Sequence, residues 1–518
     1  IPNRRKAIHE SIMKLATGEL LLVAGKGHEK TQDYGKKKLF FSDQEIILNS
    51  IKFKNKSLSN DLRLNIISEE ANSKISNKLT VKNISINSKT IKKNDIFFAI
   101  KGKKNDGNKF VSEAFKRNAS LSIVNNINKN CPLLKQVKVK NTLSFLTKCS
   151  SIFRENINTK IISITGSCGK TTLKEMVGSI LKKVSKTTYS PRSFNNKYGV
   201  PLSLFNLKQD DKFGVFEVGM DKKGEIDFLT KIIKPDLGVI TNISYAHSKN
   251  FNSINQIAAA KAEIMNNIKK NGIIVLNMDD PFYLYLKKIA LKKKLKIISF
   301  GIKNKSSMIK LIKIKKVRNK YELLININKK SFSFYSFNNN KSNLYNILAT
   351  LAAINSYVDI KRLNKNIFLN FKTPKGRGNI SKIKLRNKQI FFVDETYNSN
   401  PLSLKTAIEN YDKIKLKDSK KYLILGDMLE LGKHSLKQHR LISNILNKTK
   451  IDQVYVTGKH IKETFKGLKR DKKAKILNSK SDIIDLIKKD LNNNDYLMIK
   501  GSNSTGLHKV TANLMQGI

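Results

Sequence analysis

The stretch Ile161-Ile-Ser-Ile-Thr-Gly-Ser-Cys-Gly-Lys-Thr-Thr172 constrains this chain more than any other. A buried strand runs into a turn with two glycines, and a helix-forming run follows over 170–183. That order is what a phosphate loop requires. Backbone N–H groups at the helix N-terminus point at anionic oxygens, Gly166 and Gly169 allow the close turn, Lys170 sets a charge on the phosphates and Thr171 can ligate Mg²⁺. The general pattern has a further glycine at position 164, where this chain has Ile164. The bland alternative is a chance glycine turn after a strand, and the flanking elements weigh against it.

The surroundings predict a parallel sheet, because buried strands alternate with helices. Strands are expected at 160–164, 213–218, 237–243, 272–277 and 296–300, with helices at 170–183, 225–233, 254–268 and 281–293. Residues 308–337 switch to period two, an antiparallel insertion or edge, and a helix follows at 343–357. A third αβ run has strands at 389–393, 421–425, 453–456 and 496–499. Glu217 ends its strand, so its carboxylate faces either the ligand crevice and a phosphate-bound metal or plain solvent. His247 and Lys261 carry no local signal of their own.

Upstream, short strands at 82–86, 95–100 and 121–124 and a helix at 108–117 predict a small α/β domain. Residues 1–52 read as helix 4–15, strand 19–24, loop 25–29 and helix 42–51, an edge unit too small to bury a core alone. A polar linker follows.

The 518 residues set a prior of about three or four domains. Lys and Arg number 100 against 40 Asp and Glu, a net charge of +60, while 40% of residues are hydrophobic, which argues against disorder. The cations are spread along the whole chain without Trp, so they read as a composition bias rather than a nucleic-acid surface. Cys131, Cys149 and Cys168 are too few and too irregularly spaced for a disulfide framework or a zinc site, which fits a reducing cytoplasm. No apolar run reaches the roughly 18–20 residues of a spanning helix, so no membrane insertion is expected.

Several stretches in order resemble the ATP-dependent Mur ligases of peptidoglycan synthesis. They are Ile86-Asn-Ser-Lys89, Asp95-Ile-Phe-Phe-Ala-Ile-Lys-Gly102 and Asp106-Gly107, then Thr165-Gly-Ser-Cys-Gly-Lys-Thr-Thr172, Asn195-Asn196 and Gly199-Val-Pro201. Next come Glu217-Val-Gly219, Gly224-Glu225, 242–247, Ala260-Lys-Ala-Glu-Ile264 and Asn277-Met-Asp-Asp280. Last come Ser342-Asn343 with Asn346, Gly376-Arg377-Gly378, Asp394-Glu-Thr-Tyr-Asn-Ser-Asn-Pro401, Leu425-Gly-Asp-Met-Leu-Glu-Leu-Gly432 and Lys500-Gly-Ser502. The family's short loop, Thr-Gly-x-x-Gly-Lys-Thr, also accounts for Ile164.

The resemblance implies a three-domain α/β architecture with a central parallel-sheet P-loop ATPase domain and a C-terminal Rossmann-like domain. The expected division is 1–52, a linker at 53–79, a UDP-substrate domain at 80–158, an ATP domain at 159–372 and a ligase domain at 373–518. Within the family, 398–401 looks like the branch that joins D-alanyl-D-alanine to UDP-N-acetylmuramoyl-tripeptide through an acyl phosphate, with ATP and Mg²⁺. The resemblance puts the nucleotide on Gly166, Ser167, Cys168, Gly169, Lys170, Thr171, Thr172, Asn343, Arg377 and Asp394. Metal falls to Thr171 and Glu217, a second Mg²⁺ to His247, and Lys261 matches the lysine that the family carbamylates. Lys170, Glu217, His247 and Lys261 form the implied catalytic set. The uridine end belongs on Ser88, Lys101, Gly102 and Asp106, and Asn195, Asn196, Asn398 and Asn400 are further substrate candidates. Departures are Asn87, Lys89, Cys168, Glu395 and Ser342 where Asp, Arg, Asn, Asp and His are usual.

Residues 24–29, Ala24-Gly-Lys-Gly-His-Glu29, with Gln32 and Phe41-Ser-Asp43, resemble the end of a sister ligase that adds the third amino acid. They imply a stub of a fused upstream enzyme. A monomer is expected. Rival readings are a different Mur step or a folylpolyglutamate synthase-like ligase, a basic nucleic-acid-binding P-loop protein, and an inactive scaffold.

Overall fold

The structure is a computed structural model that describes residues 3–15, 19–25, 29–33, 35, 38–57, 61–76, 78–102, 105–385, 388–414 and 418–515. The chain forms two compact units, one of residues 1–158 with 204–206 and one of 159–203 with 207–518. No helix among the described residues is long and apolar enough to cross a membrane.

The second unit holds two sheets. Among the described residues the larger has nine strands, in the spatial order Lys330–Ser336, Lys320–Ile327, Ile309–Val317, Lys296–Gly301, Ile273–Asn277, Leu237–Ile240, Lys160–Thr165, Phe213–Glu217 and Thr187–Tyr189. The six from Lys296–Gly301 to Thr187–Tyr189 run parallel, and the period-two residues add the antiparallel hairpins at one end. Strand Lys160–Thr165 lies inside the sheet, and its Ile161, Ile162 and Ile164 are fully buried, as a strand covered on both faces requires. Its register sets Ile164 beside Glu217 and Thr165 beside Ile240, so three strand ends open on one crevice.

Helix Lys170–Val184 covers this crevice's sheet with Leu173, Met176, Val177, Ile180 and Leu181, a 3.6-residue stripe that packs with helix Lys341–Ile354 in one core. The expected helix 254–268 ends at Ala262 and tightens into a 3₁₀ turn, Glu263–Asn266. There Glu263 accepts the N–H groups of Gly224 and Asp227, capping helix Glu225–Ile233.

The second sheet orders its strands Asn379–Leu385, Lys388–Glu395, Tyr496–Lys500, Lys421–Gly426, Gln453–Thr457 and Lys473–Ile476, parallel after the first hairpin. Alternate residues feed two cores, one on each face: Phe392, Ile424 and Leu497 in one, Val393, Leu425 and Met498 in the other.

Among the described residues the first unit has a four-stranded parallel sheet, Ile84–Ser85, Ile96–Phe98, Leu121–Val124 and Gln136–Lys138. Helix Thr142–Glu155, absent from the sequence expectation, starts at the cap Asn141 and buries Leu146, Cys149 and Phe153. The stretch expected as a linker carries helix Leu62–Glu70, capped by Asp61 and packed on Thr142–Glu155. In residues 1–52 the helices are Arg4–Lys14 and the start of Asp43–Ser57. Residues 19–24, expected as a strand, take no strand conformation, and the Ala24 carbonyl accepts from Arg4; Thr31–Asp33 and Lys38–Phe40 form a hairpin. Of the stub's motif, Lys26, Gly27 and His28 lie outside the described residues.

Gly178 lies in the middle of the phosphate helix, where Ala normally gains about 1 kcal/mol. A Cβ there would stand 2.5 Å from Cδ1 and Cγ of Tyr189. Gly178→Ala is therefore expected to destabilise by about 1–3 kcal/mol, read as a lower urea midpoint; a raised midpoint would mean that Tyr189 yields freely.

Candidate functional site

Gly166 fixes the turn. Its φ is 140°, and a Cβ would fall 1.9 Å from Thr241 Oγ1, so no other residue fits without moving the neighbouring strand end. Gly169, at φ 83°, starts helix Lys170–Val184, in the left-handed region that glycine enters at no steric cost. The strand end after Leu237–Ile240 braces the turn. Asn242 Oδ1 accepts the Cys168 N–H at 2.9 Å, Thr241 Oγ1 donates to the Cys168 carbonyl at 2.6 Å, and Ser167 exchanges hydrogen bonds with Ser244. Thr172 follows, half-buried on the helix.

Two lysines converge on one acceptor. Lys170 Nζ donates to the Gly166 carbonyl at 2.9 Å and Lys261 Nζ to the same oxygen at 3.1 Å. Lys261 is 2% exposed. Burial, reinforced by the Lys170 ammonium, holds its amine well below the usual lysine range.

Thr171 Oγ1 donates to Glu217 Oε2 at 2.7 Å, and Asn195 Nδ2 donates to Glu217 Oε1 at 2.7 Å. Ser193 Oγ lies 3.2 Å from Thr171 Oγ1 and also meets the Tyr397 hydroxyl. Hydroxyl and carboxylate oxygens side by side are hard donors of the kind Mg²⁺ takes. Among the described residues no three His, Cys, Asp or Glu side chains converge as a metal cage. Mg²⁺ needs none when one or two side chains and phosphate oxygens share it, so Thr171 and Glu217 fit that ion.

The other expected residues are placed as follows. His247 Nδ1 is 2.6 Å from Glu430 and 3.4 Å from Asp221. Burial pushes its imidazole down, and the two carboxylates outweigh burial and raise it. Arg377 stacks on the Tyr397 ring at 4.1 Å, and its buried Nε has no hydrogen-bond partner among the described residues. Asp394 Oδ1 accepts from the Thr396 backbone and hydroxyl. Asn398 Oδ1 accepts the Ser399 N–H.

Three asparagines are spent on the chain itself. Asn196 takes the N–H groups of Tyr198 and Gly199. Asn343 donates to Ser336 Oγ and the Asn338 carbonyl, while Asn346 faces Gly169. Asn400 caps helix Pro401–Asp412, accepts from the Cys168 thiol at 3.1 Å and donates to the Ser167 carbonyl at 3.4 Å. Burial pushes the Cys168 thiol up, away from the thiolate.

In the first unit, Lys101 and Asp106 face each other in a β-bridge and line a cavity of about 270 Å³ with Asn108, Asn125, Lys140 and Thr142. Hydrogen bonds from Asn108 hold the Asp106 carboxyl below its usual range. The Gly102 N–H is held by the Asn105 carbonyl, and Ser88 is buried and donates to Glu113. The sequence reading assigned no role to Ser193, Asn242, Tyr397 or Glu430. Asn242, Tyr397 and Glu430 stand inside quoted motifs, whereas Ser193 carries no signal outside the fold.

Comparison with known proteins covers most of the chain. Residues 80–146 match the Mur ligase family, catalytic domain; 164–354 the Mur ligase middle domain; and 381–503 the Mur ligase, glutamate ligase domain. The UDP-N-acetylmuramoyl-tripeptide–D-alanyl-D-alanine ligase of Buchnera aphidicola subsp. Acyrthosiphon pisum (strain APS) is 32% identical over 85% of this chain and 94% of its own length. The ligase of the same name from Rickettsia prowazekii (strain Madrid E) is 31% identical over 84% and 96%. Among solved structures, MurF from Acinetobacter baumannii superposes with a TM-score of 0.74 at 25% identity, covering 87% of this chain and 98% of that one. The Thermotoga maritima MurF ligase in complex with ADP gives 0.70 at 26% identity over 85% and 98%.

His439 supports the loop that carries Glu430. It is fully buried, its Nε2 accepts the Met428 N–H at 3.0 Å, and its Nδ1 therefore carries the proton given to the Ser435 carbonyl. Burial lowers its pKa. The unfolded chain then binds the proton more readily, so this stability is full above about pH 6.5 and is lost as pH falls through the lower folded value. The urea midpoint is expected to drop between pH 7 and 5 more in the native chain than in His439→Gln; equal slopes would remove His439 from the account.

Proposed function

We propose, from the premise that this chain belongs to the Mur ligase family, that it joins D-alanyl-D-alanine to UDP-N-acetylmuramoyl-tripeptide at the expense of ATP, in peptidoglycan precursor synthesis. The observation that carries this reading is the meeting of Lys170, Lys261, Thr171 and Glu217 at one glycine turn. The Buchnera and Rickettsia relatives, which bear the name of that reaction, support the choice of substrates.

The tripeptide's terminal carboxylate takes the γ-phosphoryl group of ATP, and ADP leaves. The amine of D-alanyl-D-alanine then attacks the acyl carbon, loses a proton, and phosphate departs from the tetrahedral intermediate. Positioning and charge neutralisation dominate such chemistry. Lys170 and the N–H groups at the start of helix Lys170–Val184 hold the phosphates. Thr171 and Glu217 hold Mg²⁺, which when bound neutralises phosphate charge. Arg377 offers the nucleotide an Nε that has no partner among the described residues.

Lys261 has a separate part. Burial favours the neutral amine of Lys261, whose lone pair adds to the carbon of CO₂ with loss of one proton to give a carbamate anion. That replaces a second cation beside Lys170 with an anion suited to metal. His247, whose Nδ1 faces Glu430 and Asp221, would hold a second Mg²⁺. The uridine end takes the first unit around Ser88, Lys101, Gly102 and Asp106. Residues 1–52 are the end of a fused third-residue-adding ligase, and the protein works as a cytoplasmic monomer.

ADP release with ATP, Mg²⁺ and the muramoyl tripeptide is expected to require D-alanyl-D-alanine and to vanish in Lys170→Ala. Release with glutamate or a different acceptor in its place would favour a sister ligase. Lys261→Ala should cost on the order of 10²–10³ in kcat, with partial rescue by short carboxylates; normal turnover would sink the carbamate.

A further inference from the structure

Lys174 sits one turn beyond Lys170 and Thr171 on the phosphate helix, and nothing in the reaction described above uses it. It is 0% exposed. A lysine stays buried only when its ammonium is fully paired, and this one donates to Glu175 Oε1 at 2.5 Å, the Ser190 carbonyl at 2.5 Å and the Arg192 carbonyl at 2.8 Å. The two carbonyls belong to the loop that leaves strand Thr187–Tyr189. Arg192 there has a φ of 48°, a left-handed conformation that a non-glycine residue keeps only where its surroundings impose it.

The same loop turns back to the phosphate site. Ser190 Oγ accepts the Glu217 N–H at 3.3 Å, Ser193 Oγ lies 3.2 Å from Thr171 Oγ1, and Asn195 Nδ2 holds Glu217 Oε1 at 2.7 Å. Both oxygens of the Glu217 carboxylate are thereby oriented, one by the helix and one by the loop.

We propose that Lys174 is a positioning residue: its buried ammonium ties the 190–195 loop to the phosphate helix, so that Asn195 and Ser193 aim Glu217 and Thr171 at a divalent cation. The cation's place rests on the proposed function, but the tie is testable without the acyl substrates.

The test uses the full chain and Mn²⁺ with ADP as probe, read by electron paramagnetic resonance. Lys174→Met should raise the half-saturating Mn²⁺ concentration by about tenfold, the scale of lost outer-shell partners, with Glu175→Gln within about twofold because both loop carbonyls remain tied. Asn195→Ala should raise it too, and the double variant should match the larger single effect, because both act through Glu217. A merely structural Lys174 would lower thermal stability and leave this coupling additive. If Lys174→Met does not fold, Lys174→Gln, which keeps one donor group, should show a smaller rise of about threefold. Native Mn²⁺ affinity in the folded Lys174 variants, or additive effects, would overturn the proposal. A native chain that binds Mn²⁺ and ADP but does not turn over the muramoyl tripeptide would defeat the acceptor assignment and leave the Lys174 comparison in force.

Discussion

The phosphate site depends on how closely Gly166 approaches the end of the neighbouring strand. Thr241 stands where a Cβ would go, and the Gly166 carbonyl accepts from Lys170 and Lys261 together. Burial penalises the charged form of Lys261, and the Lys170 ammonium on the same oxygen adds to that penalty. The buried Lys261 yields, and that is why its amine is the depressed one. The glycine turn thus places a second cation beside a buried lysine 95 residues away in the chain.

The third αβ run meets this turn through specific bonds as well as through packing. Asn400 touches both Ser167 and Cys168, Tyr397 reaches Ser193, and the Lys249 N–H donates to the Glu430 carbonyl. Arg377 comes with Tyr397, because its guanidinium lies on that ring. Lys500, buried on the next strand, holds Glu395 and the Asn398 carbonyl and so fixes the loop from which Tyr397 and Asn400 project.

Much of this was legible in the sequence where burial dominates. Most strands of the parallel sheets stand out as short apolar runs, and their observed bounds differ from expectation by three residues at most, while Gln136–Lys138 and Lys473–Ile476, short and half polar, were not expected. Thr187–Tyr189 escaped because a three-residue polar edge strand has no periodicity to read. Helix Thr142–Glu155 escaped because its buried stripe is diluted by Thr, Ser and Lys. At the site, Lys170 and Thr171 follow from the turn alone, while Lys261 needed a family resemblance, since a helical lysine in so basic a chain looks solvated. Asn196, Asn343 and Asn400 show the opposite limit: sequence reveals an amide but not whether a backbone group nearby will claim it. Lys174 and Ser193 gave no signal, because their partners are assembled only by the sheet.

The edges of the six-stranded sheet give part of the +60 charge a physical purpose. Strand Asn379–Leu385 exposes Lys382 and Lys384 on one face, and Lys473–Ile476 exposes Lys473 and Lys475 at the far edge. An open edge strand is a template on which another chain can add itself, and a row of ammonium groups on that strand makes such addition a meeting of like charges. At both ends of this sheet the exposed lysines stand where an added strand would have to pair.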